Sequence, residues 1–505
     1  MQRLQGFRSH RCLQRSAQKR RLQRSFTLLR NLHRDLWLLN VFEYLVWIKW
    51  VEPSFGPAGP NVSTSNAARF EQSFRDIADT VEIPGLRNLK ANIFKLVHDW
   101  LHGSKRQWVL ILDNVDDASF LLEAQRTSRD GQTNGGNSRP LVSYLPQCQN
   151  GSILITTRTK EVARKLVEQR NIITVGTMNK TDALALFERK LEAEEDGNDI
   201  AELAAALEFM PLAIVQAAAY ISDREPLCSV KEYLNDYRTL LDHNEEGVKE
   251  FRRDYEAKNS VVITWQISFD HIRQTNQSAA DLLSLMSFFD RQGIPEDVLQ
   301  NRSEHGGGQQ KLDKDDIQKL RNYSFISVNK DGKTFEMHSL VQLATQKWLR
   351  AHGQLERWKQ QFIRNLCEEF PNGEHETWGR CQALFPHVES AAEQQPRETS
   401  FLVEWATLLY YAARYSWKMG NFDDAEKLAL KSMRARTKLF SQEHEDTLNS
   451  MEIVGLAYNL GGEWEKAAGI RSEVMGTRRR VLGAEHPSTL TTMANLASTY
   501  RNQGR

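Results

Sequence analysis

Residues 108–117 read WVLILDNVDD, in which an apolar run from Trp108 to Leu112 ends at the acid Asp113. A run of this kind is typical of a strand that is buried on both faces of a parallel sheet. The Asp113 carboxylate would then project from the carboxyl end of the strand, where open parallel sheets bind their ligands. The alternative is structural, because apolar strands often end in Asp at a turn or a helix cap.

A second stretch of the same type follows a loop rich in Gly, Asn and Ser (127–138). Residues 151–158 read GSILITTR, an apolar strand that ends in two hydroxyls and the cation Arg158. Two such strands in succession are typical of a phosphate-binding sheet, in which a carboxylate holds the Mg²⁺ that accompanies the nucleotide. We expect Arg158 to contact a terminal phosphate through its planar guanidinium, and a surface salt bridge is the alternative.

The end of the chain contains an internal repeat. Gly420-Asn-Phe422-Asp-Asp-Ala425 recurs as Gly462-Glu-Trp464-Glu-Lys-Ala467, a shift of 42 residues. The same shift relates further residues to later ones of the same type: His444, Thr447, Leu448, Met451 and Tyr458. A fixed period of this length predicts a helix-turn-helix solenoid that binds a protein partner, or, as the alternative, a stabilising tail.

Positions within the repeat indicate how the helices pack. The small residues Ala425 and Ala467 stand where two helices approach closely, and Phe422 and Trp464 are expected to fill the layer between helices. We therefore predict that these residues belong to the core and bind no ligand.

Between the strands and the repeats lie three further motifs. Residues 210–213 read MPLA and separate two helical stretches, a position at which Pro211 can open the second helix. Two amphipathic helices at 260–270 and 278–290 precede residues 325–337, whose two apolar runs flank an Asp-Gly turn and predict a β-hairpin. This order is typical of a winged helix. Met337-His338-Ser339 follows, with His338 at the start of another helix.

LILDNVDD, GSILITTR, MPLA and MHS, in this order, resemble the NB-ARC family of STAND-class P-loop proteins, which includes the NLR proteins. The resemblance covers most of residues 63–505. It implies that Asp113 holds Mg²⁺, that Arg158 senses the terminal phosphate and that Pro211 packs against the base of ADP or ATP. His338 would reach the β-phosphate of ADP, or be no more than a helix-end residue.

Three departures from these family patterns concern the site. Phe209 replaces a usual glycine, Ser339 replaces an aspartate, and Asn114 stands where many relatives have a second acid. The repeats, in turn, resemble tetratricopeptide repeats of the kinesin-light-chain type.

The expected fold is multidomain: an incomplete α/β P-loop-type parallel sheet, a helical bundle, a winged helix and an all-α tetratricopeptide solenoid. The predicted parts are a basic N-terminal segment (1–62), a partial NB-ARC nucleotide-binding domain (63–177), an ARC1-like helical domain (178–258) and a winged helix (259–351). Connecting helices (352–400) and truncated repeats (401–505) complete the chain.

The phosphate-binding loop GxxxxGK[ST] has no match in the 505 residues. The nearest candidate, Gly332-Lys333-Thr334, has Ser327 in place of the first glycine and falls inside the predicted hairpin. We expect the remaining site residues to bind nucleotide weakly or not at all, because the loop supplies the amides and the lysine that neutralise the phosphates. Any ATPase activity would be slow.

Composition limits what can be predicted about the N-terminal segment, the cellular compartment and membrane insertion. Residues 1–50 carry eleven Lys or Arg against two acids, as a mitochondrial presequence, a nucleic-acid arm or a misassigned gene segment would, and we expect the last. The five cysteines show no pairing or metal-like spacing, which favours the cytoplasm. The apolar stretch 36–51 is interrupted by polar residues and predicts no membrane span.

Three functions remain as hypotheses. The first is an ADP/ATP-dependent signalling switch that assembles into homo-oligomers and carries a partner-binding repeat module. The second is a scaffold that works through the repeats without nucleotide. The third is a DNA-binding winged helix, which ranks last because residues 261–350 lack a concentrated basic face, so no nucleic-acid partner is expected.

Overall fold

The computed structural model describes residues 62–63, 67–84, 92–105, 108–113, 115–123, 139–191, 196–243, 259–300, 312–329 and 331–504. These residues are mostly helical, with two small sheets. They fall into two compact units: Gly176–His271, and the described parts of 42–175 with 272–505. The predicted basic segment, apart from Val62, and Asn114 lie outside the described residues.

The first sheet contains both predicted strands. Strands β1 (Val62–Ser63), β2 (Trp108–Asp113) and β3 (Gly151–Ile155) are parallel and lie in that order. Trp108 pairs with Gly151, where a Cβ atom would lie only 2.1 Å from the Trp108 ring. Glycine is therefore required at the start of β3 so that the buried indole of Trp108 can cross it.

Helices on this sheet build one apolar core. They are α1 (Ala67–Thr80), α2 (Ile93–Gly103), α3 (Ser119–Leu122) and α4 (Lys160–Leu166), with 3-10 turns at Leu141–Tyr144 and Gln169–Asn171. Phe70, Phe74 and Phe94 from α1 and α2 contact one another and join the buried residues of β2. Helix α4 begins at Lys160, because the hydroxyl of the N-cap residue Thr159 accepts a hydrogen bond from Val162 N (3.4 Å).

The unit Gly176–His271 is helical. It contains α5 (Lys180–Lys190), α6 (Gly197–Ala206), α7 (Pro211–Asp223), α8 (Val230–His243) and most of α9 (Asn259–Thr275). Pro211 opens α7 as predicted. Phe209 adopts a φ of 54°, a conformation that suits the glycine it replaces better than it suits an aromatic residue.

The region after α9 contains the predicted hairpin. The elements are α10 (Gln277–Met286), β4 (Ile294–Pro295), a 3-10 turn at Glu296–Leu299, α11 (Lys314–Asn322), β5 (Ile326–Val328), β6 (Thr334–Met337) and α12 (Ser339–Ala351). Strands β5 and β6 are antiparallel across the Asp331-Gly332 turn, and β4 pairs with the other edge of β6. The hairpin prediction is confirmed.

Two helices, α13 (Leu355–Glu369) and α14 (Trp378–Ala392), lead into the repeats. The repeat helices are α15 (Thr399–Lys418), α16 (Phe422–Leu439), α17 (Glu445–Leu460), α18 (Trp464–Val481) and α19 (Pro487–Asn502), each packed on the next. Gly420 and Gly462 both adopt a positive φ at the end of the preceding helix, which accounts for their recurrence in the sequence.

A buried arginine recurs at the same position of α16 and α18. Arg436 donates to the Asp446 carbonyl (2.9 Å), the Ser450 hydroxyl (3.2 Å) and the Thr407 hydroxyl (3.2 Å). Arg478 makes the equivalent bonds, to the Ser488 carbonyl (3.4 Å), the Thr492 hydroxyl (2.7 Å) and the Asn449 amide oxygen (2.6 Å). Each arginine therefore joins the helix before its own to the helix after it.

The prediction for the repeat core is correct for Phe422, Ala425 and Ala467, which are buried, and wrong for Trp464, which is 40% exposed. The Phe422 ring lies against Gly461, where a Cβ atom would come within 2.4 Å of it. The residue one period after Gly461 is Gln503, whose side chain would occupy the space that the glycine leaves open. The Trp464 ring therefore cannot sit as Phe422 does.

None of the helices described here is long and apolar enough to cross a membrane.

Gly455 supports a clear stability prediction. A Cβ atom at this position of α17 would lie 2.9 Å from Cγ of the buried Arg471. Gly455→Ala should therefore lower the free energy of unfolding by about 1–3 kcal/mol, as overpacking does, measured by chemical denaturation. The matched control is Gly469→Ala in α18, where a Cβ atom meets nothing within 4 Å and the change should stabilise by about 0.5–1 kcal/mol. Equal effects of the two variants would contradict the packing argument.

Candidate functional site

The carboxyl edge of the first sheet forms the centre of the candidate site. Asp113 ends β2, and Thr156 follows β3 on the neighbouring strand. The buried Thr156 hydroxyl donates to Oδ1 of Asp113 (2.6 Å), and backbone bonds from Thr156 N to Leu112 O and from Val115 N to Thr156 O flank it. The side chain that the sequence predicts as the Mg²⁺ ligand is thus held in place by its neighbour strand.

Arg158 lies at the same edge and forms an ion pair. Its Nε donates to Oδ2 of Asp116 (2.7 Å), and its backbone N–H donates to Oδ1 of the same carboxylate (3.0 Å). Nη1 also lies 3.4 Å from the Ser339 hydroxyl. The guanidinium therefore forms a salt bridge with Asp116, which is the alternative given above. It lies at the same sheet edge as Asp113 and also contacts Ser339 in the segment after β6.

His338 is the N-cap of α12. Its Nδ1 accepts a hydrogen bond from Leu340 N (3.1 Å), which satisfies one of the free amides at the start of the helix. The imidazole thus has the helix-end role named as the alternative, and its next residue, Ser339, touches Arg158. The serine that replaces an aspartate in the sequence is the residue through which this segment meets the sheet edge.

Glu336 in β6 is a member of the site that the sequence analysis missed. Burial and the nearby Asp113 carboxylate raise its pKa, and they outweigh the hydrogen bond from Asn329, which lowers it. The alternation of residue types in β6 is the sequence signal that could have indicated Glu336, because Phe335 and Met337 are buried on one face of the strand and Glu336 lies on the other. An acid on that face is directed to the sheet edge only by the tertiary fold.

The structure brings together Asp113, Arg158 and the start of α12 at His338 and Ser339. Pro211 belongs to the other compact unit, Gly176–His271. Among the described residues, no group of three or more His, Cys, Asp and Glu side chains could hold a metal ion. The carboxylates of Asp113, Asp116 and Glu336 are the oxygen ligands that this edge offers.

The donor set tests whether a nucleotide fits this edge. Asp113, Asp116 and Glu336 contribute carboxylates, and the Arg158 guanidinium is already paired with Asp116. A triphosphate needs cations and backbone N–H groups around its oxygens, and carboxylates repel it. The described residues of this edge do not fit a triphosphate by themselves.

Comparisons with known proteins agree with the architecture. Residues 405–446 match a tetratricopeptide-repeat family, which confirms the repeat prediction, and residues 270–353 match a family described as a domain of unknown function (DUF7779). A nucleotide-binding leucine-rich repeat (NLR)-like protein of Hyaloscypha variabilis is 30% identical over 404 residues. That match covers 77% of this chain but only 39% of the relative's length.

Among solved structures, a STAND protein with a tetratricopeptide repeat sensor from Pyrococcus horikoshii was found. It is 14% identical, the match covers 89% of this chain and 75% of that chain, and the TM-score is 0.32.

The Glu336 carboxyl gives a pH-dependent prediction. Because its pKa is raised in the folded chain, its contribution to stability is present at low pH and lost as the pH rises through that pKa. Glu336→Gln should therefore raise the melting temperature at pH 8, and the gain should shrink on acidification to pH 4. Thermal unfolding of both proteins across this pH range measures the effect.

Glu356→Gln is the control of opposite sign. Partial burial raises the pKa of Glu356. Hydrogen bonds from Lys359 and from Arg397 N together lower it by more than burial raises it, so the net shift of the pKa is downward. This variant should lose stability at pH 8 and approach the parent protein at low pH. A Glu336→Gln protein that behaves in the same way would refute the raised pKa of Glu336.

Proposed function

Because this chain is an NLR-like protein with tetratricopeptide repeats, we propose that it acts as a signalling scaffold whose repeats bind a protein partner. The repeat module at 399–502 is the observation that carries this proposal. Its helices stack in sequence, and the buried arginines Arg436 and Arg478 fix the spacing between them. A stack of this kind offers an extended, preformed binding surface.

The first helix of each repeat, α15, α17 or α19, is expected to line the concave surface of the stack. Polar side chains link these helices across the surface: Asn495 donates to Glu452 Oε1 (2.7 Å), and Asn502 donates to Asn459 Oδ1 (3.2 Å). Amide side chains exposed in this way can hydrogen-bond the backbone of an extended peptide. The proposed partner is therefore a peptide segment of another protein.

The finer proposal concerns nucleotide. An NB-ARC-type switch would use Asp113 with Mg²⁺, Arg158, Pro211 and His338 to favour ADP in one state and ATP in another, and would assemble in the ATP state. The sequence contains no GxxxxGK[ST], and the carboxylates at the sheet edge oppose a polyphosphate. We propose that these four residues are the remnant of a nucleotide site and that the chain binds ADP and ATP weakly or not at all.

Titration of the purified chain with ADP and with ATP, each with Mg²⁺, tests the finer proposal. No saturable heat of binding is expected up to about 1 mM, the equivalent of about −4 kcal/mol. Tighter binding that is lost in Arg158→Gln and His338→Ala would restore the switch hypothesis. Arg170→Gln, which alters an exposed ion pair with Glu168, is the matched control and should change nothing.

Selection of a random peptide library on the full chain tests the scaffold proposal. Peptides that bind the parent protein should lose binding at least about tenfold in Asn459→Lys with Asn502→Lys, because lysine cannot accept a hydrogen bond. Glu473→Lys, on the exposed face of α18, is the control and should leave their affinity unchanged. Peptides that ignore the asparagine changes, or a library that yields none, would contradict the proposal.

A further inference from the structure

Arg69 joins helix α1 to the segment that follows α10. It lies in the first turn of α1, the helix whose Phe70 and Phe74 belong to the core of the first sheet. Its Nε donates to Oδ1 of Asp290 (3.0 Å), and its Nη2 donates to the Gln292 carbonyl. Both charged side chains are almost fully buried, with exposures of 11% and 10%. The bonded partners lie more than 220 residues away in sequence.

The loop that receives the guanidinium is shaped for it. Gly293 adopts a φ of 59°, and a Cβ atom there would lie 2.9 Å from Nη1 of Arg69. Glycine therefore serves two needs at once, the left-handed backbone and the close approach of Arg69. Asp290 also accepts from Gln292 N (3.1 Å), so the same carboxylate fixes the loop and the arginine.

His387 of α14 completes the arrangement. Its Nε2 lies 3.3 Å from Nη2 of Arg69 and 3.2 Å from the Gly293 carbonyl oxygen. Either tautomer of a neutral imidazole makes one of these two hydrogen bonds, whereas an imidazolium would place a second positive charge against the guanidinium. Burial first, and then Arg69, lower the pKa of His387 to about 3, so the ring is neutral at physiological pH.

The 288–293 loop and α14 are also held together by contacts that do not involve Arg69. Ser390 donates to the Phe288 carbonyl (2.8 Å), Gln394 donates to the same oxygen (3.0 Å), and the Phe289 ring packs edge-on against His387. Helix α1 reaches these segments at one end, where it packs on α14. Arg69 is therefore placed to attach α1 and the first sheet to the segment that leads to the repeats.

We propose that Arg69 is a protein-built clamp that holds α1 onto the 288–293 loop and α14 without a nucleotide. A buried ion pair of this kind adds little net stability compared with apolar packing, but it fixes one relative placement of its partners. Removing the charge of either Arg69 or Asp290 leaves the charge of the other without its buried partner. The clamp would fix this placement of α1 in a chain whose sequence contains no GxxxxGK[ST], and it is independent of whether the repeats bind a peptide.

Hydrogen exchange of the full chain, read by mass spectrometry, tests the clamp. Arg69→Gln and Asp290→Asn should each raise amide exchange by about tenfold or more in α1, in the 288–293 loop and in α14 together. The double variant should add little to either single change, because both remove the same interaction. Addition of ADP with Mg²⁺ should restore none of the lost protection.

Arg75→Gln is the matched control, since Arg75 sits in the same helix and pairs with Glu71 within α1 (2.7 Å). It should affect exchange in α1 alone. Gly293→Ala tests the same clamp with every charge retained and should loosen the same three segments, which keeps the test decisive if Arg69→Gln does not fold. Changes confined to α1 in the Arg69 and Gly293 variants, or additive effects in the double variant, would overturn the proposal.

Discussion

The candidate site depends on the direct parallel pairing of β2 and β3. This pairing places the end of one apolar strand beside the end of the other, so that Thr156 can hold Asp113 and Arg158 can reach Asp116. The pairing in turn depends on Gly151, because a side chain there would occupy the space of the Trp108 ring. Without that glycine the two strand ends would not meet, and the polar residues after them would form no common edge.

The charge at this edge decides how the remnant site behaves. Arg158 would be available to a phosphate in a complete site, but here a carboxylate of its own chain already pairs with it. Glu336 brings another acid from a separate segment towards Asp113, and burial together with that neighbouring carboxylate raises the pKa of Glu336. The edge is therefore better satisfied by its own side chains than by an added polyanion.

Sequence reasoning predicted the local parts of this molecule well. The two strands, the hairpin at Asp331-Gly332, Pro211 at the start of α7 and the repeat period all have local signals in residue order, and the structure contains each of them. Glu336, Asp290 and Arg69 carry no such signal. Their roles arise from contacts between segments far apart in the chain, which no local periodicity records.

The failure at Trp464 has the same origin. A 42-residue repeat predicts the same environment for equivalent residues, yet that environment includes the following unit, in which Gln503 takes the place of Gly461. Equivalent positions in a repeat are equivalent only where their neighbours are also equivalent. The buried arginines satisfy this condition, because their partners recur at the same offsets.

That recurrence bears on how such an array can change in length. Each arginine draws its partners from 29 residues before it and from 10 and 14 residues after it. An unequal crossover that gains or loses one whole period would give every arginine an equivalent set of partners, wherever the breakpoint falls. A gain or loss of any other length would separate a buried cation from its acceptors at the junction. The array can therefore be lengthened or shortened by recombination in whole units. Arrays of intermediate length are disfavoured, because they would contain a buried arginine without its hydrogen-bond acceptors.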